Sequence, residues 1–214
     1  MSDNGVVYVV DDDPRVREAL GELLESNGLS CRSFASAADY MAFERADAPA
    51  CLILDVELPD INGLELQKRI AGDAHPPVVF LTGHGDIPSS VQAIKGGAVD
   101  FLTKPVRQDA LLAAVHAGLD RDRLARASHA EASALMDRLG TLTPREQEVL
   151  PLVVSGLLNK QAASQLGISD VTLQIHRRRI MQKMKAASLA DLVRMAERLR
   201  IPVTHTRRTG TTPE

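Results

Sequence analysis

The sequence predicts an α/β domain built on a five-stranded, doubly wound parallel sheet, followed by a smaller all-α domain. Three observations predict this. Short β-branched runs alternate with helix-spaced apolar patterns five times before about residue 120. From Leu142 onward no convincing strand recurs. Charge divides at the same place: residues 1–120 hold 9 Lys+Arg against 19 Asp+Glu, and residues 121–214 hold 16 against 9. The formal net charge of −3 therefore cancels −10 against +7, an asymmetry that points one half toward a polyanion.

Val6–Val10 is a continuous apolar run, the pattern of a strand buried on both faces. Asp13-Pro14 offers a helix cap with proline behind it, Val16, Leu20, Leu23 and Leu24 follow at helical spacing, and Asn27-Gly28 stops the helix. The remaining strands are expected at 29–34, 51–54, 78–81 and 99–102, and the remaining helices at 36–45, 64–70 and 87–95 and from Arg107 onward. Nothing breaks the Ala- and Arg-rich stretch after Asp120 until Gly140, so the last helix is expected to continue as a connector. Four short helices follow, at 144–155, 160–166, 170–185 and 189–199, and residues 204–214 read as a disordered tail. The expected domains are 1–121, a helical linker 122–140, and 141–203.

Composition removes several classes. No apolar stretch approaches the ~18 residues of a membrane span, and the N-terminus is acidic where a secretory signal would be basic, so a cytoplasmic protein without membrane contact is expected. Two cysteines, Cys31 and Cys51, are too few for a disulfide framework and read as small buried apolar residues. Two Tyr, four Phe and no Trp leave little with which to stack single-stranded bases.

The ends of the expected strands carry the chemistry. The first strand runs into Asp11, Asp12 and Asp13, the third into Asp55, the fourth into Thr82, and the fifth is followed by Lys104-Pro105. Parallel neighbours lie about 4.8 Å apart, so the carboxylates converge and require a cation; Mg²⁺, a hard ion with oxygen ligands, fits. A metal, a nucleophilic carboxylate, a hydroxyl and a lysine together suit a phosphoryl group. No glycine-rich phosphate loop follows the first strand, which argues against a nucleotide-binding enzyme.

The segments VVDDD, LPDING, LTGHGD and GGAVDFLTKP resemble the receiver domain of two-component response regulators. That resemblance implies a flavodoxin-like strand order, Asp55 as phospho-acceptor from a sensor histidine kinase, and Mg²⁺ held by Asp11, Asp12, Asp55 and the backbone carbonyl of Glu57. It implies Thr82 and Lys104 on the phosphoryl oxygens, and Thr82 and Phe101 as switch residues. Asp13 lies outside the acidic pair and reads as a helix cap, and His84 as a solvated loop residue.

In the second half, Gly167 and Ser169 separate two helical segments, the pattern of a helix-turn-helix. On a wheel at about 100° per residue, Leu173, His176, Ile180 and Met184 form the core stripe. Gln174, Ile175, Arg178, Gln182 and Lys185 face away, with Arg177, Arg179 and Lys183 on the flanks. Gln and Arg make bidentate contacts to base edges, Ile meets a thymine methyl, and flanking cations meet phosphate. The segments LTPREQEVL, GLLNKQAASQLGIS and VTLQIHRRRIMQKM resemble LuxR/FixJ/NarL-type DNA-binding domains. By that resemblance Gln174, Ile175 and Arg178 read bases, and Lys160, Arg177 and Lys183 contact phosphates. Leu158 and Ala162 depart from it, standing where a small hydroxyl residue and Ile are frequent. The whole implies a response regulator, not an enzyme, which dimerises on phosphorylation, binds double-stranded promoter DNA and activates transcription with RNA polymerase.

Overall fold

A computed structural model describes residues 5–70, 75–83 and 85–202. The expected tail at 204–214 and His84 lie outside the described residues. The chain divides into two compact units, 1–127 and 128–214.

The first unit alternates β1 (Val6–Val10), α1 (Pro14–Ser26), β2 (Ser30–Phe34), α2 (Ala37–Ala42), β3 (Ala50–Leu54), α3 (Gly63–Ile70), β4 (Val78–Thr82), α4 (Ile87–Lys95) and β5 (Asp100–Thr103), and ends in α5 (Gln108–Gly140). All strands are parallel, in the order β2-β1-β3-β4-β5. β3 and β4 are buried along their whole length, which is why they read as unbroken apolar runs. Two cores result, one on each face of the sheet. One gathers Tyr8, Val10, Leu52, Leu54 and Phe80 with Tyr40, Leu66 and Ala93. The other gathers Val7, Val9, Ile53 and Leu81 with Leu20, Leu24, Leu111, Val115 and Leu119. Cys51 is fully buried in the second, and burial pushes its thiol up to about 12 and that of Cys31 to about 11.

Caps set the boundaries of several helices. Asp13 accepts from the Arg15 amide at 2.9 Å ahead of Pro14, and Ser36 and Asp86 cap α2 and α4. α2 is shorter than its sequence pattern, which reaches Arg45. Phe43 turns extended and packs its ring on Tyr8 and Phe34 at 6.1 and 5.2 Å, so aromatic packing ends the helix early.

The second unit holds α6 (Pro144–Val154), α7 (Asn159–Leu166), α8 (Asp170–Met184) and α9 (Leu189–Arg198), together with the last turns of α5. Its core joins Leu142, Val149, Leu150, Val153, Ala162, Ala163, Leu173, Ile180, Met184, Leu192 and Ala196. Gly167 adopts φ 65°, a left-handed turn that glycine enters without strain, and Ser169 then caps α8 by accepting from the Thr172 amide. Thr143 and Glu146 form a reciprocal capping box at the start of α6.

Candidate functional sites

In-register pairing builds the first site. Val10 of β1 lies opposite Leu54 of β3, so the next residues, Asp11 and Asp55, emerge side by side where the strand order reverses. The Asp55 amide donates to Val10 O at 2.9 Å, and the Asp11 amide to Phe34 O at 3.2 Å. One carboxylate oxygen from each of Asp11, Asp12 and Asp55 lies within 4.8 Å of the others. The Lys104 ammonium, just past β5, donates to Asp11 Oδ2 and Asp55 Oδ2, both at 2.6 Å. Its amide is fixed by Thr82 O at 2.8 Å, and Lys104-Pro105 is a cis peptide.

The electrostatics follow from burial. Asp11 and Asp55 are buried, whereas Asp12 is exposed. Burial raises the Asp11 carboxyl above its ordinary value, outweighing the opposing bond and charge of Lys104. Burial pulls the Lys104 ammonium down, but the Asp11 and Asp55 carboxylates outweigh it and raise it overall. Three carboxylates against one ammonium leave excess negative charge, and the donors are all hard oxygens. That donor set fits Mg²⁺.

β4 and β5 pair in register, so Thr82 lies opposite Thr103 and Phe101, two residues earlier on β5, lies opposite Phe80. Thr82, fully buried, ends β4, and Phe101 on β5 is half-buried with its ring 6.0 Å from Phe80. The Glu57 amide donates to Asp55 Oδ1 at 3.1 Å, which tethers the loop after β3 to the carboxylate. Two features escaped sequence reading. Arg17 donates to the carbonyls of Asp11 and Asp12 at 2.7 and 2.8 Å, holding the acidic loop from α1. Gly63 packs so closely that a Cβ there would lie 2.2 Å from Asp55 O. Arg17 falls five residues after Asp12, one turn into α1, and that spacing is the signal available for it.

The second site is the face of α8 turned away from its core. Leu173, Ile180 and Met184 are buried, while Gln174, Ile175, Arg178 and Gln182 are exposed. His176 is half-buried, and its Nδ1 has no hydrogen-bond partner among the described residues. Lys160 at the start of α7 is exposed, and Arg177 donates to Asn159 Oδ1 at 3.0 Å, tying α8 to α7. Lys183 departs from expectation. Its ammonium donates to the buried Glu146 carboxylate at 2.6 Å and to Thr141 O at 3.0 Å. Val171 was passed over in the sequence, yet it is exposed on the outward side of α8.

A doubly wound sheet with an acidic pocket and a lysine at its carboxyl edge defines a receiver, and the helix-turn-helix of the second unit defines a DNA-binding domain. Residues 7–116 match the response regulator receiver domain, and residues 140–196 match the bacterial regulatory proteins of the luxR family. The chain belongs to the response regulators that join these two domains, which are transcription regulators of two-component systems and not enzymes. It is 46% identical to nodulation protein W of Bradyrhizobium diazoefficiens, over 97% of this chain and 92% of that protein. It is 47% identical to the transcriptional regulatory protein FixJ of Azorhizobium caulinodans, over 89% of this chain and 90% of that one. Among solved structures, the response regulator StyR matches 91% of this chain and 98% of its own, with 42% identity and a TM-score of 0.81. A receiver implies a cognate kinase, and a luxR-family domain implies DNA as partner. Among the described residues no helix is long and apolar enough to cross a membrane.

Proposed function

We propose that Asp55 accepts a phosphoryl group from a sensor histidine kinase and that the resulting aspartyl phosphate drives dimerisation and promoter binding. One observation carries this reading: Lys104 bridges Asp11 and Asp55 at 2.6 Å, with Asp12 beside them. An Asp55 carboxylate oxygen attacks the phosphorus of a phosphohistidine, forming a P–O bond. The P–N bond breaks, and the imidazole leaves with the electron pair and takes up a proton. Lys104 shifts its donor from carboxylate to the incoming phosphoryl oxygens, and the Thr82 hydroxyl donates to another. Asp11, Asp12, Asp55 and the Glu57 carbonyl are the groups that would hold Mg²⁺, which when bound offsets charge on the transferring oxygens.

The product carries about −1.5 to −2 charge in a pocket that held one carboxylate. Thr82 is drawn toward it, and Phe101 moves into the space released, shifting an existing two-state equilibrium. Ile87, Val91 and Ile94 form an exposed apolar row on α4 at i, i+4 and i+7, which supports a homodimer through α4 and β5. Two helix-turn-helix units then meet two half-sites. Gln174, Ile175 and Arg178 read bases, and Lys160 and Arg177 contact phosphates. Lys183, bonded to Glu146, is reassigned from a phosphate contact to a brace within the domain. Receiver residues 1–121, linker 122–140 and DNA-binding residues 141–203 act together in the cytoplasm, recruiting RNA polymerase for activation.

The test is intact mass of the full chain after incubation with a small-molecule phosphodonor and Mg²⁺. Wild type gains one phosphoryl group and Asp55→Asn gains none. No gain in wild type, or an equal gain in the variant, overturns the assignment.

A further inference from the structure

We infer that Val171 is a specificity-determining residue, forming with Ile175 an apolar ridge that reads two thymine methyl groups in each half-site. The inference deepens the proposed DNA reading and rests on it. Its basis is the burial pattern of α8. With Leu173 as origin at about 100° per residue, Ile180 and Met184 fall within about 20° of it and define the core direction. Val171 then lies at about 160°, as nearly opposite the core as Arg178 at about 140° and Ile175 at about 200°.

Exposure agrees with that geometry: Val171 is 66% and Ile175 is 47% exposed. They are four residues apart, so their side chains are neighbours on one face, separated by about 5–6 Å. Neither is needed for the domain's core, which Leu173, Ile180 and Met184 supply from the other side. A single exposed valine is ordinary. Two branched apolar side chains in line on a helix with five cations and no acid over residues 171–185 are less so, because a solvated basic face gains nothing from them.

Position along the helix supplies the second argument. Val171 is the second residue of α8, directly behind the Ser169 cap, and a recognition helix reads base edges from its N-terminal turns. The major-groove edge of thymine is the only base edge that presents a methyl group, and branched apolar side chains are its complement. Flanking that ridge at about 100°, Gln174 suits adenine N6 and N7, and Arg178, at about 140°, suits guanine N7 and O6. From Val171 to Arg178 the helix rises about 10 Å, comparable with three base-pair steps of about 3.4 Å. The inferred half-site therefore has thymines and adenine opposite the first turns of α8 and a guanine further along.

The test uses the full chain after phosphodonor treatment, with wild type, Val171→Ala and Ile175→Ala each selecting from a random duplex library. Thymines of the wild-type half-site are then replaced singly by deoxyuridine, which removes the methyl alone. Wild type should lose about fourfold in affinity at each of two positions, the value of one buried methyl. Val171→Ala should lose that sensitivity at one position and keep it at the other, and Ile175→Ala should do the reverse. Val171 is a surface residue, and an unchanged far-ultraviolet circular dichroism melt controls for folding. If Val171→Ala selects the same half-site with the same deoxyuridine response, the inference is overturned and the DNA reading stands. If wild type selects no sequence at all, both are overturned.

Discussion

Removing the Lys183 ammonium, as Lys183→Met, should destabilise the DNA-binding unit far more than it alters contact with DNA. Glu146 is 1% exposed and accepts from Lys183 Nζ at 2.6 Å and from the Thr143 amide at 2.9 Å. Burial acts to raise its carboxyl, yet the bonds from Lys183 and Thr143 outweigh burial and hold it below the ordinary value. Without Lys183 the carboxylate stays buried with Thr143 alone to bond it. Stranding one partner of a fully buried pair costs about 3–5 kcal/mol. The Lys183 side chain is 33% exposed, so water screens the pair and the expected cost falls to about 2–3 kcal/mol.

The pH dependence fixes the sign. In wild type the folded-state carboxyl is depressed, so its contribution is present above the unfolded value of about 4.3 and fades as pH falls through the folded one. In Lys183→Met, burial dominates and the carboxyl rises above that value, so stability is lost as pH increases past about 4.3. The gap between the proteins should widen from pH 3 to pH 7. Hydrogen exchange of the full chain, read in peptides from 141 to 199, measures it without interference from the receiver. Glu146→Gln in the same chain removes the stranded charge but keeps the capping bond, and the double variant should recover most of the loss. The salt slope of DNA binding should stay unchanged. A slope flattened by about one unit with undiminished exchange protection would return Lys183 to the phosphate contacts and refute the reasoning.

Two further outcomes are expected. Gly63→Ala places a Cβ 2.2 Å from Asp55 O, so the loop after β3 must shift. A loss of about 1–3 kcal/mol in receiver stability and slower labelling by a phosphodonor should follow, checked by thermal melting and mass spectrometry. Leu158 occupies the cap of α7 with extended backbone, no side-chain bond to the helix and 69% exposure. Leu158→Ser should therefore stabilise that unit by about 0.5–1 kcal/mol, and an unchanged or lower urea midpoint would contradict the capping argument.

Legibility in the sequence followed periodicity and topology. β3 and β4 were plain because strands buried on both faces are apolar throughout, and their carboxyl ends announced Asp55 and Thr82. Parallel pairing then brings Asp11 beside Asp55 without any further information. What stayed hidden depends on side-chain reach across elements. Arg17 reads as another polar residue of α1, and only the fold turns its guanidinium back onto two carbonyls of the acidic loop. Phe43 carries helix-compatible spacing, and its exit from α2 is decided by rings on β1 and β2. The wheel of α8 located the outward face but treated Lys183 as a flank, since a wheel has no record of Glu146 on α6.

The two lysine–carboxylate pairs separate a brace from a reactive site by charge balance, not distance. Both show N–O separations of 2.6 Å and a nearly fully buried acid. In the DNA-binding unit one ammonium faces one carboxylate, and Thr143 and Thr141 satisfy what remains on either side. Such a pair gains nothing from a ligand, and its worth lies in fixing α8 against α6. In the receiver one ammonium is shared between two buried acids, with a third, exposed acid beside them. That surplus is unfavourable in the isolated domain and becomes favourable when positive charge arrives, so the cluster is poised for a cation and for the phosphoryl oxygens a cation brings. The same surplus explains the Arg17 clamp, because an acidic loop under mutual repulsion needs its backbone held from outside. By this argument the destabilising excess of acid is itself the functional element, and neutralising it through Asp12→Asn should stabilise the fold while weakening the site.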